Sequence, residues 1–115
     1  MIHLFHHPES PLKKYVAEGL GAFTLTLAVT LSFGSKFPLA TPMVAAFVVG
    51  VYVYTIGRIS GTHLNPAVTL ALLSVGKISR KDAFGYIVAQ CIGAVLSMLI
   101  ATWLLGELPS QSVQS

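Results

Sequence analysis

This sequence predicts an all-α membrane protein with three transmembrane helices and one re-entrant half-helix. Three observations lead there. Of 115 residues, 54% are hydrophobic and only 10% charged, whereas about a quarter of a soluble domain is charged. Three apolar stretches are long enough to cross a bilayer. A fourth, much shorter, opens on Asn65-Pro66 and stops at Gly76.

The polar tail, residues 1–14 (MIHLFHHPESPLKK), lacks a basic segment followed at once by a short apolar core and a cleavage site, so no cleaved signal peptide is expected. The membrane domain covers 15–106. Its first span, 15–33, holds a single charge, Glu18; the second, 43–59, is uninterrupted from Met43 to Ile56; the third, 83–105, is uncharged throughout. A span takes roughly 20 residues at about 1.5 Å each. Between the first two, Gly34, Pro38 and Pro42 in GSKFPLATP end one helix and start the next. Asp82 follows the basic turn KISRK and suits the positive end of the third helix. A polar tail, 107–115, closes the sequence.

The half-helix is assigned to 66–75. Ala67 to Val75 is apolar or hydroxyl-bearing throughout and makes about 13 to 14 Å of helix, half of a hydrocarbon core of about 30 Å. Asn65 is a preferred N-cap, and Pro66 sits where a missing N–H costs nothing. The preceding Gly57, Ser60 and Gly61 supply irregular backbone that cannot face lipid, because its polar groups would have no partner there. It must be buried in protein or line a cavity. A helix beginning at mid-membrane points free N–H groups and partial positive charge into the bilayer centre. Such an end repels cations and offers donors to neutral polar solutes.

Other functions are excluded or reduced to weak signals. A net charge of +3 from seven scattered basic residues forms no nucleic-acid-binding patch. Four carboxylates, one cysteine within an apolar segment and a proline-broken histidine tail give no nucleophile–base pair, so no enzyme is expected. His3, His6 and His7 have a spacing that could grip a metal, yet Pro8 follows and no carboxylate or thiol completes a shell; neither metal nor cofactor is expected. Cys91 reads as a small buried hydrophobe. The glycines Gly21, Gly50, Gly85 and Gly93, with Ser97, read as close-approach points between helices.

SGTHLNPAVTLALL resembles the first Asn-Pro-Ala signature of the aquaporin (major intrinsic protein) family. Ala17-Glu18-Gly19-Leu20-Gly21 is similar to that family's glutamate-bearing first helix, and Tyr86 to Ala94 (YIVAQCIGA) to its third; the likeness runs from about Pro11 to Gly106. It implies a channel unit for water or small neutral solutes, resembling one of the two inverted halves whose half-helix tips meet at the pore centre. Asn65, Pro66 and Ala67 would be that pore-centre motif, with Val68 the apolar residue following it. His63 would lie at the pore mouth or be a satisfied structural histidine. Glu18, an ionisable group within a span, would accept the loop's backbone N–H groups, helped by Gln90. An ungapped comparison places Ala45 where many water-selective relatives carry a bulky aromatic, and Phe47 is rotated by roughly 200° from it; strict water selectivity is therefore not implied.

Only one Asn-Pro-Ala is present, so the expected partners, besides the lipid bilayer and the solute, are a separate second-half protein or an antiparallel copy in an obligate oligomer. A non-conducting membrane interaction protein, or a truncated aquaporin copy, is the competing reading. Lys13, Lys14, Arg58, Lys77, Arg80 and Lys81 fall on one side and Lys36 on the other, a bias that places the N-terminus on the cytoplasmic face of the cell membrane.

Overall fold

The computed structural model describes residues 11–106 and contains four helices: α1 (Pro11–Gly34), α2 (Thr41–Ser60), α3 (Pro66–Ser74) and α4 (Arg80–Leu105). Three of them, α1, α2 and α4, are long and apolar enough to cross a membrane. The polar tails and the cluster His3, His6 and His7 lie outside the described residues.

Helix ends follow local chemistry. Proline, tolerated in a first helical turn, stands at the start of α1, α2 and α3. α1 begins at Pro11, ahead of the apolar stretch at Tyr15, so the predicted tail of 1–14 overlaps its first turn. Ser79 caps α4 by accepting from Asp82 N at 3.1 Å. Gly61 and Gly106 end α2 and α4 in left-handed conformations, φ 87° and 77°, which glycine adopts without a Cβ clash.

α1 is the hub, packing against both α2 and α4, while α3 packs against α4. α1 and α4 run parallel: Lys14 pairs with Asp82 at 2.6 Å, Tyr15 packs edge-on to Tyr86, and Thr30 reaches Met98 at the far end. α1 and α2 are antiparallel, joined at Ser32–Thr41, Thr24–Tyr52 and Glu18–Ser60. Small residues set these distances. A Cβ on Gly93 would strike the Gly19 carbonyl oxygen, one on Gly85 the Tyr15 ring, and one on Gly21 the Leu64 side chain. Gly50 is the exception to the expected close approaches, with nothing within 4 Å of where its Cβ would stand, because it lies on a face of α2 that no other described helix closely approaches.

Candidate functional site

The site is the five-residue link Gly61–Asn65 and the helix it starts. Gly61, Thr62 and Leu64 all have positive φ, at 87°, 57° and 58°. Two of the three are not glycine, so the surroundings must hold them there. Side chains of α1, α2 and α4, with the link's own Thr62 hydroxyl, do so.

Glu18 of α1 is fully buried, and its carboxylate accepts four hydrogen bonds. Oε2 takes Ser60 Oγ at 2.6 Å and His63 N at 3.0 Å; Oε1 takes Leu64 N at 2.8 Å and Gln90 Nε2 at 2.8 Å. Each is a charge-assisted bond, shorter and stronger than its neutral counterpart. Tyr86 of α4 donates to the Ser60 carbonyl at 2.6 Å, and Thr62 Oγ1 donates to Tyr52 O at 3.2 Å. Gln90 Nε2 also donates to Thr69 Oγ1 at 3.1 Å. The Thr69 hydroxyl lies 2.9 Å from His63 Nδ1 and, already accepting from Gln90, is free to donate there. The His63 ring rests against Tyr86, centroids 4.8 Å apart.

Asn65 is extended, φ −152° and ψ 129°, and its Oδ1 accepts from Ala67 N at 2.8 Å, closing the N-cap of α3. That leaves the Nδ2 group and the ring of Pro66 at the tip. A cavity of about 230 Å³ lies beyond them, lined by Asn65, Pro66 and Leu64 with Ala22, Thr26 and Cys91 among others.

The depth of the tip follows from its partners. Gln90 stands seven residues past Ala83, where the uncharged part of α4 begins, about 10 Å into the core. It bonds Thr69, from which α3 runs back about 6 Å to Asn65, so the tip lies near half of a core of about 30 Å. The nine residues of α3 return the chain about 13 to 14 Å to the same face. α3 therefore enters from one face and leaves by it.

Glu18, Gln90, His63, Asn65 and Pro66 are brought together. Ala67 and Val68 are exposed on α3. Ala45 is not part of the cluster: it is half-buried near the start of α2, about 22 Å of helix from Ser60. Cys91 is exposed at the cavity rather than buried, since the α4 residues turned toward α1 are Tyr86, Gln90, Gly93 and Ser97. Sequence reasoning missed Thr69 and Tyr86, and used the Ser60 hydroxyl only as a marker of irregular backbone. The signal for Thr69 was available, as the first polar residue within an apolar half-helix; Tyr86 stands four residues before Gln90 and so shares its face. Among the described residues no group of three or more potential metal ligands occurs.

Three spans around a half-helix that enters and leaves by one face define a class of membrane transport protein in which irregular backbone is sheltered by protein. The profile of the major intrinsic protein family matches residues 6–114, and the chain belongs to that family, whose members are channels for water or solutes. It is 42% identical over 90 residues to glycerol uptake facilitator protein-like 6 of Lactiplantibacillus plantarum, covering 75% of this chain and 41% of that protein. It is 38% identical over 104 residues to aquaporin-1 of Pongo abelii, covering 77% and 39%. With aquaporin Z of Bradyrhizobium diazoefficiens the identity is 39% over 97 residues, covering 75% and 39%. The chain thus spans less than half the length of these curated relatives.

Proposed function

We propose that this chain is one half of a channel for the passive transmembrane movement of water or small neutral solutes, conducting once a second half closes the pore. The observation that carries this reading is the Asn65 tip: a half-helix start at mid-membrane, capped through Oδ1 with Nδ2 left over, beside a cavity. A solute passing there exchanges hydrogen bonds with Asn65 Nδ2, while the partial positive charge of the α3 N-terminus repels cations. Glu18 and Gln90 position the loop and do not touch the solute. His63, with Nδ1 facing Thr69, presents its remaining ring edge toward the mouth. Val68 and Ala67 line the pore below the tip, and Ala45 leaves the outer entrance wide enough for solutes larger than water.

A second half is called for because, among the described residues, no facing half-helix walls the cavity at the tip. We assign this role first to a separate second-half protein, with the N-terminus of this chain cytoplasmic in the cell membrane. Six basic residues at the α1 and α4 starts, the α2 end and the turn after α3, against Lys36 alone at the other face, favour a single orientation. An antiparallel homodimer is the alternative. A C-terminal reporter that reads out on both sides of the membrane would select it.

Osmotic shrinkage of proteoliposomes holding the assembled protein tests the channel. Permeability no greater than that of protein-free vesicles would leave a non-conducting interaction protein as the better account. Asn65→Asp tests the electrostatic barrier: a carboxylate still caps α3, so the fold should persist, but the negative charge cancels the positive end. Proton leak is expected to rise, and to rise less in Asn65→Ser; unchanged ion exclusion in the Asp variant would refute the mechanism.

A further inference from the structure

On the side of α1 and α4 away from the tip runs an open apolar groove of about 830 Å³, bounded by Leu12 to Phe23 of α1 and Lys81 to Leu96 of α4. Its floor is Gly19, Gly85 and Gly93, and its walls are bulky and exposed: Leu20 is 55% exposed, Phe84 73% and Ile92 55%. At one end stands Lys81, exposed and in no ion pair among the described residues, whereas the neighbouring Lys14 is committed to Asp82. We infer that this groove binds a membrane phospholipid of net negative headgroup, one acyl chain lying along α1 and α4 and the phosphate meeting Lys81.

Length and chemistry both point to a lipid chain. From Leu12 to Phe23 the groove follows about 16 Å of helix, close to one leaflet of a core about 30 Å thick. It therefore begins at the headgroup level, where Lys81 stands, and ends near the bilayer centre. A third helix is a poor occupant. Helices associate in membranes through small residues that let backbones approach, and the glycines of this floor already serve α1 against α4: Gly85 receives the Tyr15 ring, Gly93 meets Gly19 O, and a Cβ on Gly19 would stand 3.2 Å from Ala89 O. Lys81 then selects headgroups. Phosphate and ammonium cancel in a zwitterionic lipid, but an anionic one keeps its negative charge for the lysine. The inference needs only the membrane fold and is independent of conduction.

The test is lipid retention by the full chain in detergent, measured by native mass spectrometry with palmitoyl-oleoyl phosphatidylglycerol and phosphatidylcholine as probes. The parent chain should retain phosphatidylglycerol about fivefold over phosphatidylcholine, the discrimination one lysine supplies near a membrane surface. Lys81→Gln, on an exposed site that leaves folding intact, should bring the ratio close to one; Lys36→Gln at the opposite face should not change it. Val88→Trp, which fills the groove, should release both lipids while helix content by circular dichroism stays constant. Equal retention by the parent, a preference that survives Lys81→Gln, or one that falls equally in Lys36→Gln would overturn the proposal. So would a bound lipid unaffected by Val88→Trp, or a doubled mass that this variant dissolves, which would make a second copy the occupant.

Discussion

Two links in this chain depart from helical geometry, and they are held in opposite ways. The link between α1 and α2 is exposed from Phe33 to Ala40. Lys36 adopts φ 55° there, and the local bonds are Ser35 N to Leu31 O at 3.0 Å and Phe37 N to Ser32 O at 3.4 Å. The link between α2 and α3 carries three positive-φ residues in four positions and is gripped by Glu18, Tyr86 and the Thr62 hydroxyl. Irregular backbone at a membrane surface can bond to water. Within the bilayer, lipid offers no partner, and a donor buried without one costs about 1–3 kcal/mol or more. The same kind of backbone is thus nearly unconstrained at one depth and requires a buried carboxylate at another.

The largest effect should come from removing that carboxylate's charge. Glu18→Gln keeps the volume but turns an acceptor for two donors into an N–H donor facing them. With unsatisfied buried donors at about 1–3 kcal/mol each, a loss of 3 kcal/mol or more is expected, read as a lowered unfolding midpoint in detergent and faster proteolysis after Arg58. An effect below about 1 kcal/mol would mean that the inner link is held by packing alone, and the contrast would fail.

An intermediate effect is expected for Asn65→Ala. It removes the Oδ1 bond to Ala67 N, and caps of this kind contribute typically about 1 kcal/mol. Stability by thermal denaturation should fall by that amount while the Glu18 network persists. A fall as large as that of Glu18→Gln would show that the cap, not the carboxylate, organises the link.

The smallest effect belongs to the outer link. Lys36→Gly relieves a left-handed conformation but adds chain entropy to the unfolded state, so the net change should stay within about 0.5 kcal/mol of zero. A loss beyond 1 kcal/mol, on the same denaturation assay, would show that this link is as constrained as the inner one.

Much of the fold was legible in the residues because its causes are local. Long uncharged stretches become spans wherever a backbone must satisfy its own hydrogen bonds. The half-helix was legible for the same reason: an Asn-Pro start fixes one end and the approach to Gly76 the other, and Pro66–Ser74 is what forms. Glu18 was legible as a charge within a span, and the family resemblance implied that it accepts the loop's N–H groups with help from Gln90; that these are the N–H groups of His63 and Leu64 was not legible.

The partners of those atoms were decided by the tertiary structure. Ser60, His63, Leu64 and Gln90 converge on Glu18 from sequence separations between 42 and 72 residues; the antiparallel packing of α2 on α1 brings the first three within reach, and the parallel packing of α4 brings Gln90. That packing also turned Cys91 outward and gave Gly93 a neighbour while leaving Gly50 without one. The sequence alone determined where the helices begin and end, because propensity, caps and apolar length act over one or two turns. Which face of each helix is buried, and hence which polar group satisfies which, was settled by helix against helix, because a side chain's hydrogen bonds depend on what stands opposite it in space.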